Sequence, residues 1–139
     1  MMKNICKLIL VSISLSSFYS VAGVAVIVHP SNDAKVKKSD IKKIFLGKAS
    51  SFKNGANAIP INLINAPTIR QLFNKKILSR SSSQVAAQWS KLEFTGIATS
   101  PATKNTKEML ELIANNPEMI GYIDSELVTE NVKVVMTIE

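Results

Sequence analysis

Cysteine is almost missing from this chain. Its 139 residues contain one, Cys6, so an intrachain disulfide and a cysteine metal site are both excluded. Histidine is equally scarce, and the single His29 leaves no His/Cys cluster and no Ser–His or Cys–His catalytic pair. Aromatic residues make up 6% of the chain and are not interleaved with its basic residues, so no stacking platform for nucleic acid is present. Paired carboxylates are missing too: Glu108 and Glu111 share a face of an amphipathic stretch, where they read as solvated. These absences point away from an enzyme, from a metal and from a cofactor. Acids are nearly absent from one half. Val24 to Lys91 carries twelve Lys/Arg against two acids, +10, whereas Leu92 to Glu139 carries three against eight, −5. If the halves separate in space, the surface is polarised.

No hydrophobic run is long enough for a comfortable membrane span. The longest, Leu8 to about Leu15, follows Lys3 and Lys7 and precedes the small residues Ser20-Val21-Ala22. That is the layout of a secretory signal peptide ending near Ala22. The expectation is a signal over 1–22 and one domain over 23–139, roughly 117 residues, about the size that one core serves. A secreted protein also makes nucleic acid an improbable partner.

What the remainder contains is a regular alternation. Val24-Ala25-Val26-Ile27-Val28 is a continuous, β-branched apolar run, the pattern of a strand buried on both faces. His29-Pro30-Ser31-Asn32-Asp33 ends it as a turn. Ser39 and Asp40 suit a helix start, Ile41, Ile44 and Phe45 form one apolar stripe, and Gly47 suits a left-handed stop. After the Asn54-Gly55 turn, Ala58 to Leu63 reads as a strand, with Pro60 favouring an edge or a strand start. Pro67 opens a helix to about Leu78, and Ser81–Ser83 caps another over Gln84 to Leu92 with Trp89 in the core. Ile97 to Lys104 reads as a loop. Asn105 or Thr106 caps an amphipathic helix that Pro117 stops. Met119 to Ile123 and Val132 to Met136 are the last strands. The fold class is α/β, a small three-layer domain with a mostly parallel or mixed sheet.

In order and spacing these segments resemble one lobe of the phosphate-type periplasmic solute-binding proteins of ABC importers. The matching stretches are Val24 to Asn32, Ile44-Phe45-Leu46-Gly47, the Ile59-Pro60-Ile61 strand, the Pro67 to Leu78 helix with its early phenylalanine, and Asn116-Pro117-Glu118-Met119-Ile120-Gly121-Tyr122-Ile123. The resemblance implies one lobe of a type II periplasmic binding fold, a periplasmic location and phosphate as the default ligand. Two departures accompany it. The chain has room for one lobe where the family has two. The family's Ser-Gly-Thr type phosphate turn is replaced by Asn65-Ala66-Pro67-Thr68-Ile69-Arg70, which lacks the glycine and loses a donor at Pro67.

A helix N-terminus offers free N–H groups and a partial positive charge to an anion. On that ground the N–H groups of Thr68, Ile69 and Arg70, the Thr68 hydroxyl, the Asn65 amide and the Arg70 guanidinium form the candidate oxyanion site. Ser31 and Asn32, and Thr99, Ser100 and Thr103, are candidates to face the same cleft, because open α/β sheets bind ligands at the carboxyl ends of strands. The primary reading is therefore a periplasmic binding module for phosphate or another small oxyanion. The alternative is a lobe that has lost its ligand and serves protein–protein contact with a periplasmic or membrane protein.

Overall fold

Val24–Val28 forms strand β1, and all five of its side chains are buried. It lies inside a five-stranded sheet of order β3-β2-β4-β1-β5, with β2 at Ile59–Leu63, β3 at Ala102–Lys104, β4 at Met119–Asp124 and β5 at Lys133–Ile138. The computed structural model describes residues 23–139, so the 1–22 signal reading lies outside the described residues. β1 runs antiparallel to both β4 and β5, whereas β2 runs parallel to β3 and β4. The sheet is mixed. No described helix is long and apolar enough to cross a membrane.

Pro60 shows how the sequence accommodates this order. β3 pairs only with Ile61–Leu63, so Pro60 has β4 on one side and no β3 residue on the other. Its missing N–H therefore costs no ladder bond on the open side. β3 itself falls within a stretch that reads as loop. It is three residues long, at the sheet edge and largely exposed, so it imposes no apolar alternation for a pattern to detect.

The helices sit on both faces. Adjacent strand residues point to opposite sides. Tyr122 on β4 contacts Phe45 and Phe73, while the neighbouring Gly121 faces Met109 and Ile113. Phe45 belongs to helix α1, Lys38–Phe45, and Phe73 to helix α2, Pro67–Phe73. Met109 and Ile113 belong to helix α4, Thr106–Asn115. Lys38 and Lys43 of α1 are exposed on one face of the sheet, and Glu108 and Glu111 of α4 on the other.

α1 begins one residue before Ser39. Asp40 does not cap it as its first residue but reaches back, its Oδ2 accepting the Lys37 N–H at 2.8 Å. That bond, and then the nearby Lys53 ammonium, hold the Asp40 carboxyl below its ordinary pKa. The helix ends as the sequence requires. Gly47 has φ +72°, and a Cβ there would lie 2.6 Å from Leu92 Cδ1 and 3.0 Å from Trp89. Both neighbours belong to helix α3, Ser82–Phe94, and Trp89 Nε1 donates to the Phe45 carbonyl at 3.0 Å. The end of α1 is thus the dock for α3, and Trp89 is core.

α3 starts with a reciprocal cap. Ser81 Oγ accepts the Gln84 N–H at 3.2 Å, and Gln84 Oε1 accepts the Ser81 N–H at 2.9 Å. Ser81→Ala is expected to lower stability by about 1 kcal/mol, and Ser81→Asp to recover most of it. Thermal melts of the two variants check this, and an unchanged midpoint for the alanine variant would refute the cap's contribution.

Candidate functional site

Between α2, α3 and the segment before β3 lies an open cleft of about 460 Å³. Its wall begins at Asn62 on β2. That residue is buried because its Oδ1 accepts the Tyr122 hydroxyl at 3.1 Å. Burial pushes the Tyr122 pKa up to about 12, against the opposing pull of the Leu63 backbone and the Arg70 charge. The phenol is therefore a neutral donor at any physiological pH, and it holds the amide of Asn62 in one orientation.

Asn74 is the second buried amide of the wall. It follows α2 directly and opens the π-helical turn Asn74–Leu78, a widened geometry that recurs at functional sites. Its Nδ2 donates to Ser82 Oγ at 3.2 Å, which ties the end of α2 to the start of α3 across the cleft. Its carbonyl accepts the Arg80 N–H at 3.1 Å, and the turn stops at Ser79 in the left-handed conformation, φ 54°.

The only charged residue lining this cleft is Arg70. It takes part in neither of the two salt bridges among the described residues, Lys53–Asp40 and Lys104–Glu108. No carboxylate lines the cleft with it. Glu93, outside the lining, is engaged by the rim residue Ser100, whose N–H donates to Glu93 Oε1 at 2.8 Å. An unpaired guanidinium facing amides and hydroxyls is electrostatically suited to an anion and to nothing cationic.

The residues singled out from the sequence divide. Arg70, Ser100 and Thr103 line the cleft. Asn65 takes φ 60° and is exposed, turning the chain from β2 into α2; the capping position is Ala66, which has no side-chain oxygen. Thr68 is exposed and Ile69 is buried, and neither lines the cleft. The Arg70 N–H is already committed to the Ala66 carbonyl at 3.0 Å, so of the three N–H groups in the first turn only those of Thr68 and Ile69 are left without a backbone acceptor. Thr99 opens instead on the neighbouring cleft beside Gly47.

Ser31 and Asn32 do not join them. They follow β1, whose end at Val28 pairs with Ile120, at the start of β4. Asn65 follows β2, which runs parallel to β4, so it lies level with the other end. The two groups are separated by the length of a strand, about 13–16 Å. Asn32 serves its own turn: Oδ1 accepts the Ala34 N–H at 3.0 Å, and its carbonyl accepts Lys133 Nζ at 2.9 Å. Ser31 Oγ bonds His29 Nδ1 at 2.7 Å. Asn62, Asn74 and Ser82, which the sequence reading missed, complete the cleft. Asn74 had a visible signal, a polar residue next to the apolar stripe Ile69, Phe73 and Ile77.

No family model matches the sequence, and no curated protein is similar to it in sequence. Solved structures do match in fold. An ABC-type phosphate transport receptor from Vibrio cholerae superposes with a TM-score of 0.62 at 16% identity, over 82% of this chain and 45% of that one. A Clostridium perfringens protein with bound phosphate gives 0.62 at 22% identity, over 82% and 44%. PstS from Borrelia burgdorferi gives 0.59 at 13%, over 82% and 46%. The chain thus has the α/β fold of one lobe of phosphate-binding proteins of this kind, and spans about half the length of the proteins that it matches.

Proposed function

We propose that this chain is a periplasmic binding module in which the cleft beside α2 holds a small oxyanion, with phosphate the first candidate. The observation that carries this reading is Arg70: a cation without a counterion, in a cleft without a carboxylate. The side chains of Asn62, Asn74, Ser82, Ser100 and Thr103, which line the cleft with Arg70, are the further polar partners, whereas Asn65, Thr68 and Ile69 lie outside it. The fold neighbours named for phosphate support the ligand class. α2 contributes little as a dipole, because it is short and Pro67 removes one of its first donors. The guanidinium therefore carries most of the attraction. Within the described residues the cleft is open to water on one side, which implies weak, salt-sensitive binding.

Isothermal titration with phosphate and sulfate at low ionic strength tests this. A millimolar or tighter affinity is expected, and Arg70→Gln is expected to weaken it by at least about tenfold, a loss of roughly 1.4 kcal/mol. Arg70→Lys keeps the charge but loses the planar fork, and should fall between. No heat and no thermal shift with millimolar phosphate or sulfate, or equal binding by Arg70→Gln, would overturn the reading.

A further inference from the structure

The cleft is larger than its proposed charge partner needs. A tetrahedral oxyanion displaces only a few water molecules, each about 30 Å³ in the liquid. The cleft measures about 460 Å³, within the range of sites that enclose small organic molecules, roughly 300–1,000 Å³. Its lining is also divided by chemistry. Arg70 with the amides of Asn62 and Asn74 is the polar part. Val85, Ala86 and Trp89, successive positions on one stripe of α3, line it as well, with Pro101. Ala86 is exposed there, and Val85 and Trp89, each 6% exposed, show only an edge; bare phosphate would leave that apolar strip wet, whereas a ligand with a hydrocarbon body would cover it.

We propose, building on the oxyanion reading above, that the ligand class is a small organic anion, its phosphate or carboxylate on Arg70 and its apolar or aromatic body against Val85, Ala86 and Trp89. The wall is rigid enough to select a shape. Trp89 is held by its bond to the Phe45 carbonyl, and the start of α3 is tied to Asn74 through Ser82. Ala86 is exposed and sits on a well-formed helix, so its side chain can be enlarged without touching the core.

The test is a titration of the protein with inorganic phosphate, phenyl phosphate, benzoate and phenol. Phenyl phosphate is expected to bind about tenfold or more tighter than phosphate, the scale on which apolar pockets discriminate. Benzoate should bind and the uncharged phenol should not. Ala86→Gln, which intrudes on the apolar wall without adding charge, is expected to weaken phenyl phosphate several-fold more than it weakens phosphate. Phosphate bound as tightly as phenyl phosphate, or Ala86→Gln without effect on either, would overturn the organic-anion inference and leave the oxyanion reading standing. Phenol bound as well as phenyl phosphate, with Arg70→Gln indifferent, would overturn both, and so would no binding of any of the four.

Discussion

Replacing Phe73 by alanine is expected to cost about 3–5 kcal/mol of stability. For a domain of this size, with a total of roughly 5–15 kcal/mol, that is a large share. The ring is fully buried. It lies parallel to Tyr122 within 6°, centroids 3.7 Å apart, and meets the edge of Phe45 at 4.8 Å and 70°. The three rings join β4, α1 and α2, so the cavity left by alanine opens between elements that cannot all close in on it. Such aromatic pairs add about 0.5–1.5 kcal/mol each beyond the area they bury. Phe73→Leu keeps most of the volume and should cost about half as much or less. Urea unfolding followed by the fluorescence of Trp89, the single tryptophan, measures both variants. A loss under about 1.5 kcal/mol for Phe73→Ala would mean that the rings are not what holds α2 to the sheet.

The consequence for the cleft is direct. Asn74 follows Phe73, and Arg70 precedes it by three residues, so both are placed by the turn that Phe73 anchors. A ligand that contacts Arg70 would therefore report indirectly on this core. Phe73→Leu, if folded, is expected to weaken anion binding less than Arg70→Gln does.

How much of this could be read from the chain itself depends on which forces were local. β1 was legible because burial on both faces writes an unbroken apolar run. The end of α1 was legible because Gly47 answers a backbone requirement within one turn of Phe45. The start of α4 was legible to within one residue: of Asn105 and Thr106, Asn105 is the cap, its Oδ1 accepting the Glu108 N–H at 2.9 Å. Strand direction was not. β1 runs antiparallel to β4 only because of how the sheet assembles, and nothing within Val24–Asn32 records it. Ser31 and Asn32 were placed at the ligand end on the rule for open parallel sheets, and the antiparallel pairing carries them to the opposite end. The cleft was half legible for the same reason. Arg70 stood out as a cation in a first helical turn, where it is unfavourable without an anion. Asn62 and Asn74 acquire their role from Tyr122 and Ser82, which are distant in sequence or lie across a helix break.

Gly121→Val carries the other large effect, on the opposite face of the sheet. A Cβ on Gly121 would collide with Met109 Sδ and stand 2.9 Å from Ile113 Cδ1, both on α4. Alanine forces the flexible methionine end aside and should cost about 1–2 kcal/mol, since overpacking a closed core usually falls in the range of 1–3. Valine adds two methyl groups on the same strand position, where Ile113 cannot yield as easily, and about 3 kcal/mol is expected. The cause can be isolated. Met109→Ala removes the closest atom, at a cost of its own of about 2–5 kcal/mol. If steric conflict with α4 is the reason for the glycine, valine at 121 should cost markedly less in that background, with a coupling of at least about 1 kcal/mol in a double-mutant cycle. Additive losses would place the requirement elsewhere, in the backbone of β4 rather than in its packing. The distinction bears on the Ile-Gly-Tyr sequence as a whole. Gly121 lets α4 approach one face while Tyr122 fills the other and holds Asn62, so the same short strand sets both the thickness of the domain and one wall of its cleft.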